Sequence, residues 1–165
     1  MVWSDIIVAV ILAFSLLAGI KGGAVIGFFS LLTLIITIPV AGTFYGFVAS
    51  YLSFLPGVDW RNFLGFIITI VVVSIILSLI FWLPSHFIKS AWNSGCFFHL
   101  LGGIFTLANS AIGLTVLVFL FQAYPVIPWL NNLFAKSIIL TWLVGHLDFV
   151  RYLLFEVFHS TMPTY

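Results

Sequence analysis

Charge is almost missing from this chain. Of 165 residues, five are Lys or Arg and four are Asp or Glu, 5% of the total, where an ordinary soluble domain has about 25%. So few charges cannot solvate the outside of a globule in which 64% of residues are hydrophobic. With a mean hydropathy of +1.33, the apolar side chains must face lipid, and an integral membrane protein is expected. The formal net charge of +1 leaves no basic face for nucleic acid and no acidic tail. The single cysteine, Cys96, excludes an internal disulfide.

Chemical motifs are missing as well. The sequence holds no HExxH, no GxSxG, no phosphate-binding Gly-Lys loop and no cysteine pair. Intramembrane aspartyl chemistry and proton-coupled carriage both want an acid at depth. The expected interior of spans two to four has no Asp, Glu, Lys or Arg. The expectation is therefore a protein that is not an enzyme and has no cofactor or metal. Its buried polar groups are Thr33, Thr37, Thr69, Ser74, Ser78, Thr106, Asn109, Ser110 and Thr115. Such groups satisfy kinked backbones or link helices; a pore for a small neutral solute is the alternative they leave open.

What is present is long apolar runs. Spans of about 20 residues cross a bilayer, and four are predicted: roughly 5–20, 24–54, 63–83 and 97–121. Their continuous apolar character favours helices over the alternating strands of a barrel. The flank Val2-Trp3-Ser4-Asp5 carries an acid and no Lys or Arg, which reads as a retained first span, not a signal peptide. The second run is too long for one upright straight helix, and Pro39 inside it predicts a kink or break. Pro56 to Asn62 reads as a loop, Ser85 to Gly95 as the next connection, and Pro125 and Pro128 as the stop of span four.

Residues 129–165 differ from the four-span domain of 1–128. From Asn131 to His159, Ser137, Thr141, Gly145, Asp148, Tyr152 and Glu156 recur three or four apart. That spacing draws a narrow polar stripe on a helix, with Arg151 placed to pair with Asp148. An amphipathic helix lying in the interface, or packed on the bundle, is expected. A fifth span is the competing reading, disfavoured because His146, Asp148 and Arg151 would lie at depth. The fold class is thus all-α: four transmembrane helices, the second kinked or broken at Pro39, plus a C-terminal amphipathic interfacial helix.

Orientation rests on few cations. Lys21 and Lys89 flank the first and third connections, against Arg61 beside Asp59 on the other side. The positive-inside rule places those two connections in the cytoplasm and both termini outside. Trp3, Trp60 and Trp129 would anchor one interface, Trp82 and Trp92 the other. Asp5 would cap the first helix, where a negative charge is favoured. His99 is expected to be a solvated interfacial histidine. Gly19, Gly22, Gly23 and Gly27 cluster where spans one and two meet, Gly42 and Gly46 lie in span two, and Gly102 and Gly103 open span four. With Pro39 these are the candidate helix-packing or hinge residues, since small residues let backbones approach closely in lipid.

The ordering of several short motifs resembles the colicin V production (CvpA) family of bacterial inner-membrane proteins. They are Asp5-Ile6-Ile7, Gly19-Ile20-Lys21-Gly22-Gly23, Gly27-Phe28-Phe29-Ser30-Leu31-Leu32, Phe44-Tyr45, Leu101-Gly102-Gly103-Ile104-Phe105, then Pro125, Trp129 and Ser137. Where that family often has an Asp-Arg pair before the glycines, this chain has Phe98-His99. The resemblance implies an accessory or scaffold role in production or export of colicin V-type toxins and in envelope homeostasis. From composition and the glycine faces, the expected partners are the lipid bilayer and a second copy or another membrane protein. An oligomeric small-solute channel or transporter is the alternative.

Overall fold

The structure, a computed structural model, describes residues 3–54, 57–92, 95–124, 134 and 136–154. Four long helices dominate it: α1 (Trp3–Gly22), α2 (Ala24–Tyr51), α3 (Val58–Trp92) and α4 (Cys96–Ala123). Two short ones follow, α5 (Ile138–His146) and α6 (Asp148–Leu153). Among the described residues there is no strand. All four long helices are long and apolar enough to cross a membrane, so the chain is an all-helical, multi-pass membrane protein.

The turn between α1 and α2 is a single residue, Gly23, at φ 80° and ψ 168°. A side chain there would be strained in that left-handed backbone region, so the tight reversal depends on glycine. Its amide donates to the Gly19 carbonyl, and its own carbonyl accepts from the Gly27 amide.

Of the kink or break expected at Pro39, the break is absent: one helix, α2, runs through it from Ala24 to Tyr51. The segment from Ser85 is not a connection either, because α3 continues through Pro84 to Trp92. One proline removes one backbone donor, so it frees a single carbonyl one turn back, that of Ile35 in α2 and of Ile80 in α3, while every other rung of a long helix is kept. At 35 residues and ~1.5 Å per residue, α3 is about 52 Å long. It therefore outreaches the ~30 Å hydrocarbon core, and the polar His86 falls inside it without ending it.

Helices α1 and α4 pack antiparallel, and so do α2 and α3; Ser15 meets Ser110, and Ser74 meets Thr37. The main core fills only one half of the bundle. It joins Ile38 and Ala41 of α2, Phe63 and Phe66 of α3, Ile112, Val116 and Phe119 to Phe121 of α4 and Tyr124 just after it, with Val150 and Leu154 beneath. A second cluster joins Val8, Val118, Leu140 and Leu143.

The tail is not one long amphipathic helix. Leu147 leaves helical geometry (φ −103°, ψ 40°), just after Gly145, whose helix propensity is poor. At nine residues, α5 reaches only about 14 Å, which rules out a fifth span within the described residues. Instead Ser137, Leu140 and Leu143 are buried against the bundle. The side chains of Asp148 and Arg151, together with Pro125, Pro128, Asn131, Glu156 and His159, lie outside the described residues.

Candidate functional site

The bundle is zipped by backbone proximity. A Cβ on Gly19 would sit 2.5 Å from the Gly102 carbonyl oxygen, and one on Gly102 would sit 2.5 Å from that of Gly19. Gly27 lies over the same Gly102 carbonyl, and Gly103 lies against Ile20 and Leu16. These four glycines therefore form an α1–α2–α4 seam within one chain. Gly42 is buried in α2. Gly46 has nothing within 4 Å of a Cβ, and Gly22 meets only Ile26 at 3.9 Å; neither belongs to the seam. A second seam was missed in the sequence: a Cβ on Gly65 would meet Ala49 Cβ at 3.0 Å. Its signal was a lone glycine inside the apolar run of span three.

Polar side chains tie the same helices. Asp5 lies in the first turn of α1, 4% exposed, and its Oδ1 accepts from Ser137 Oγ at 2.6 Å and from the Ile139 amide at 3.4 Å. Ser137 Oγ in turn accepts from the Leu140 amide. Asp5 thus reaches the N-terminus of α5, where orphan amides favour a carboxylate. His99 is not the solvated residue expected. It is half-buried, and its Nδ1 lies 2.7 Å from the Ile20 carbonyl; a carbonyl can only accept, so Nδ1 carries the proton. Ser110 donates to Ser15 at 2.6 Å.

Other hydroxyls return to their own helix. Thr69, Thr106 and Thr115 donate to carbonyls one turn back. Tyr124, wholly buried at the end of α4, places a hydroxyl where no partner has hydrogen-bonding geometry. Burial first, then the adjacent Tyr45 and the Asp59 carboxylate, push its titration well above the ordinary tyrosine range.

Trp3, Trp60 and Trp82 are exposed, at the starts of α1 and α3 and toward the end of α3. Such amphipathic rings suit headgroup depth. The Trp92 side chain and Trp129 lie outside the described residues. Trp142 was not singled out in the sequence; it is exposed on α5 and stacks on His146 at 4.2 Å.

The remaining polar groups converge. Between the first half of α2 and the second half of α3 lies a cleft of about 500 Å³, on the opposite half of the bundle from the main core. Ser30 and Thr33 line one wall, Ser74, Ser78, Ser85 and His86 the other, and Asn109 of α4 the floor. Phe29 and Phe81 meet across it at 5.5 Å. The Asn109 Oδ1 is buried with no hydrogen-bond partner. Of the nine polar residues singled out in the sequence, Thr33, Ser74, Ser78 and Asn109 line this cleft. Among the described residues, no three His, Cys, Asp or Glu side chains group closely enough to hold a metal ion.

The sequence pattern of the family described as colicin V production protein matches residues 4–148. No curated protein matches, and no solved structure matches.

Proposed function

The chain belongs to the colicin V production protein family, and from that membership and this geometry we propose a non-enzymatic accessory or scaffold protein of the bacterial inner membrane. It serves production or export of colicin V-type toxins and envelope homeostasis, with both termini extracytoplasmic. The observation that carries this reading is where the reactive groups are used. Asp5, His99 and Ser137 are each held in a bond that joins one helix to another, so acid, base and hydroxyl are committed to holding the bundle together. The glycine seam is likewise used within the chain. What faces outward is lipid-exposed α3 surface, such as Ile75, Leu79 and Leu83, and the α2–α3 cleft, both open to a neighbouring membrane protein or a second copy.

A second reading, an oligomeric small-solute channel or transporter, is favoured by the polar lining of that cleft. Reconstitution separates the two. The scaffold reading expects specific membrane-protein partners on purification in mild detergent and no solute flux above empty vesicles. Robust flux, or a chain that purifies alone from producing cells, overturns it.

A further inference from the structure

The cleft lining is polar on both sides of the hydrogen bond. Three of its hydroxyl groups have already placed their proton, Thr33 on the Phe29 carbonyl, Ser85 on the Trp82 carbonyl, and Ser74 on Thr37 at 3.4 Å, so these oxygens offer lone pairs. Ser30 and Ser78 line it too, with hydroxyls that can donate, and Asn109 adds an amide whose buried Oδ1 has no protein partner. A guest that both donates and accepts hydrogen bonds therefore matches the lining.

Charge and shape narrow the guest further. The cleft has no Asp, Glu, Lys or Arg among its lining residues. An ammonium group would gain less from rings such as Phe29, Phe81 and Trp82 than it loses on leaving water without a counter-charge, so the uncharged guest wins. A cleft of about 500 Å³ holds roughly seventeen water-sized volumes of ~30 Å³ each. From His86 to Ser74 it descends 12 residues of α3, about 18 Å. Beyond Ser74 the way is closed, for Thr37, Ile38 and Phe66 are wholly buried.

We propose that the α2–α3 cleft is a hydrated recess, entered from one membrane face, that admits small uncharged molecules of the polyol class, which both donate and accept hydrogen bonds. The inference concerns what the recess admits and holds whether the protein is a scaffold or a channel component. Flux measurements and the test below therefore fail independently.

The test uses the full chain in liposomes with its one cysteine removed (Cys96→Ser). Single cysteines are introduced by Ser78→Cys or Ser30→Cys in the cleft and by Leu79→Cys on the neighbouring face, which is 69% exposed toward lipid. Three thiol reagents of similar size are compared: 2-hydroxyethyl, 2-(trimethylammonium)ethyl and 2-sulfonatoethyl methanethiosulfonate. Each rate is divided by that reagent's rate with a free thiol in water. Both cleft positions should react with the hydroxyethyl reagent at least about tenfold faster than with either charged one, as the desolvation argument requires. Leu79→Cys should stay unreactive, and glycerol should slow the cleft positions. Adding Asn109→Leu should abolish the glycerol protection. Cleft positions as unreactive as Leu79→Cys would show a dry cleft and overturn the proposal. Equal normalised rates for all three reagents, or glycerol protection unchanged by Asn109→Leu, would overturn the assigned chemistry. Ser30→Cys keeps the test decisive if Ser78→Cys fails to fold.

Discussion

The Asp5 carboxylate on α1 and the Ser137 hydroxyl heading α5 lie 2.6 Å apart across 132 residues of sequence. This bond docks the C-terminal segment on the bundle. A hydrogen bond to a charged group contributes about 1.5–3 kcal/mol, and a lost N-cap costs ~1 kcal/mol. Asp5→Ala is expected to lower stability in detergent by about 1.5–3 kcal/mol and to open the α4–α5 region to limited proteolysis. In a double-mutant cycle with Ser137→Ala, a coupling below about 0.5 kcal/mol would show that the two residues act independently.

The glycines separate into two classes that alanine distinguishes. Gly19→Ala and Gly102→Ala each put a Cβ 2.5 Å from a backbone oxygen, and overpacking of this kind costs about 1–3 kcal/mol or more. At Gly46, where a Cβ meets nothing within 4 Å, alanine is expected to be neutral or to stabilise the helix by up to about 1 kcal/mol. Thermal unfolding in detergent measures all three. Equal shifts would mean the seam is not a close-packed contact.

The hydroxyl pair Ser15–Ser110 is expected to matter less than its 2.6 Å length suggests. Interhelical hydrogen bonds in membranes average about 0.6 kcal/mol, because the separated helices find other partners. Ser15→Ala should therefore destabilise by well under about 1 kcal/mol. A loss as large as that of Gly19→Ala would put the hydroxyl pair on a par with the glycine seam and contradict this expectation.

Tyr124 supplies a pH dependence. Burial holds its folded pKa above the ordinary tyrosine value of 10.0. A pKa raised on folding leaves the contribution to stability whole below the unfolded value of about 10 and removes it as pH climbs further. Stability should fall with rising pH above about pH 10, and Tyr124→Phe should flatten that fall. Parallel slopes for the two proteins would contradict the assignment.

The membrane class and the four spans were legible because they follow from composition and run length, which no tertiary contact has to supply. Gly19, Gly27, Gly102 and Gly103 were legible as small residues, but that Gly19 faces Gly102 depends on how α1 and α4 are paired. Pro84 misled for a related reason: a proline weighs heavily in sequence, yet it removes one donor from a helix that runs 35 residues. The Asp5–Ser137 bond was beyond reach, since periodicity sees neighbours a turn apart. The cleft was half visible. Its hydroxyls stood out as polar groups in apolar runs, but only the packing of α2 against α3 decides that Ser78 faces the recess while Thr69 bonds its own helix.

The central claim is that α1 to α4 cross the bilayer in alternation. It is tested most directly by side-specific labelling in sealed, oriented vesicles, with reporters at the N-terminus, Gly22, Gly57 and Gly95. The N-terminus and Gly57 should be labelled from one side, Gly22 and Gly95 from the other. Labelling of Gly57 and Gly95 from the same side would contradict a membrane-crossing α3, and with it the four-span bundle.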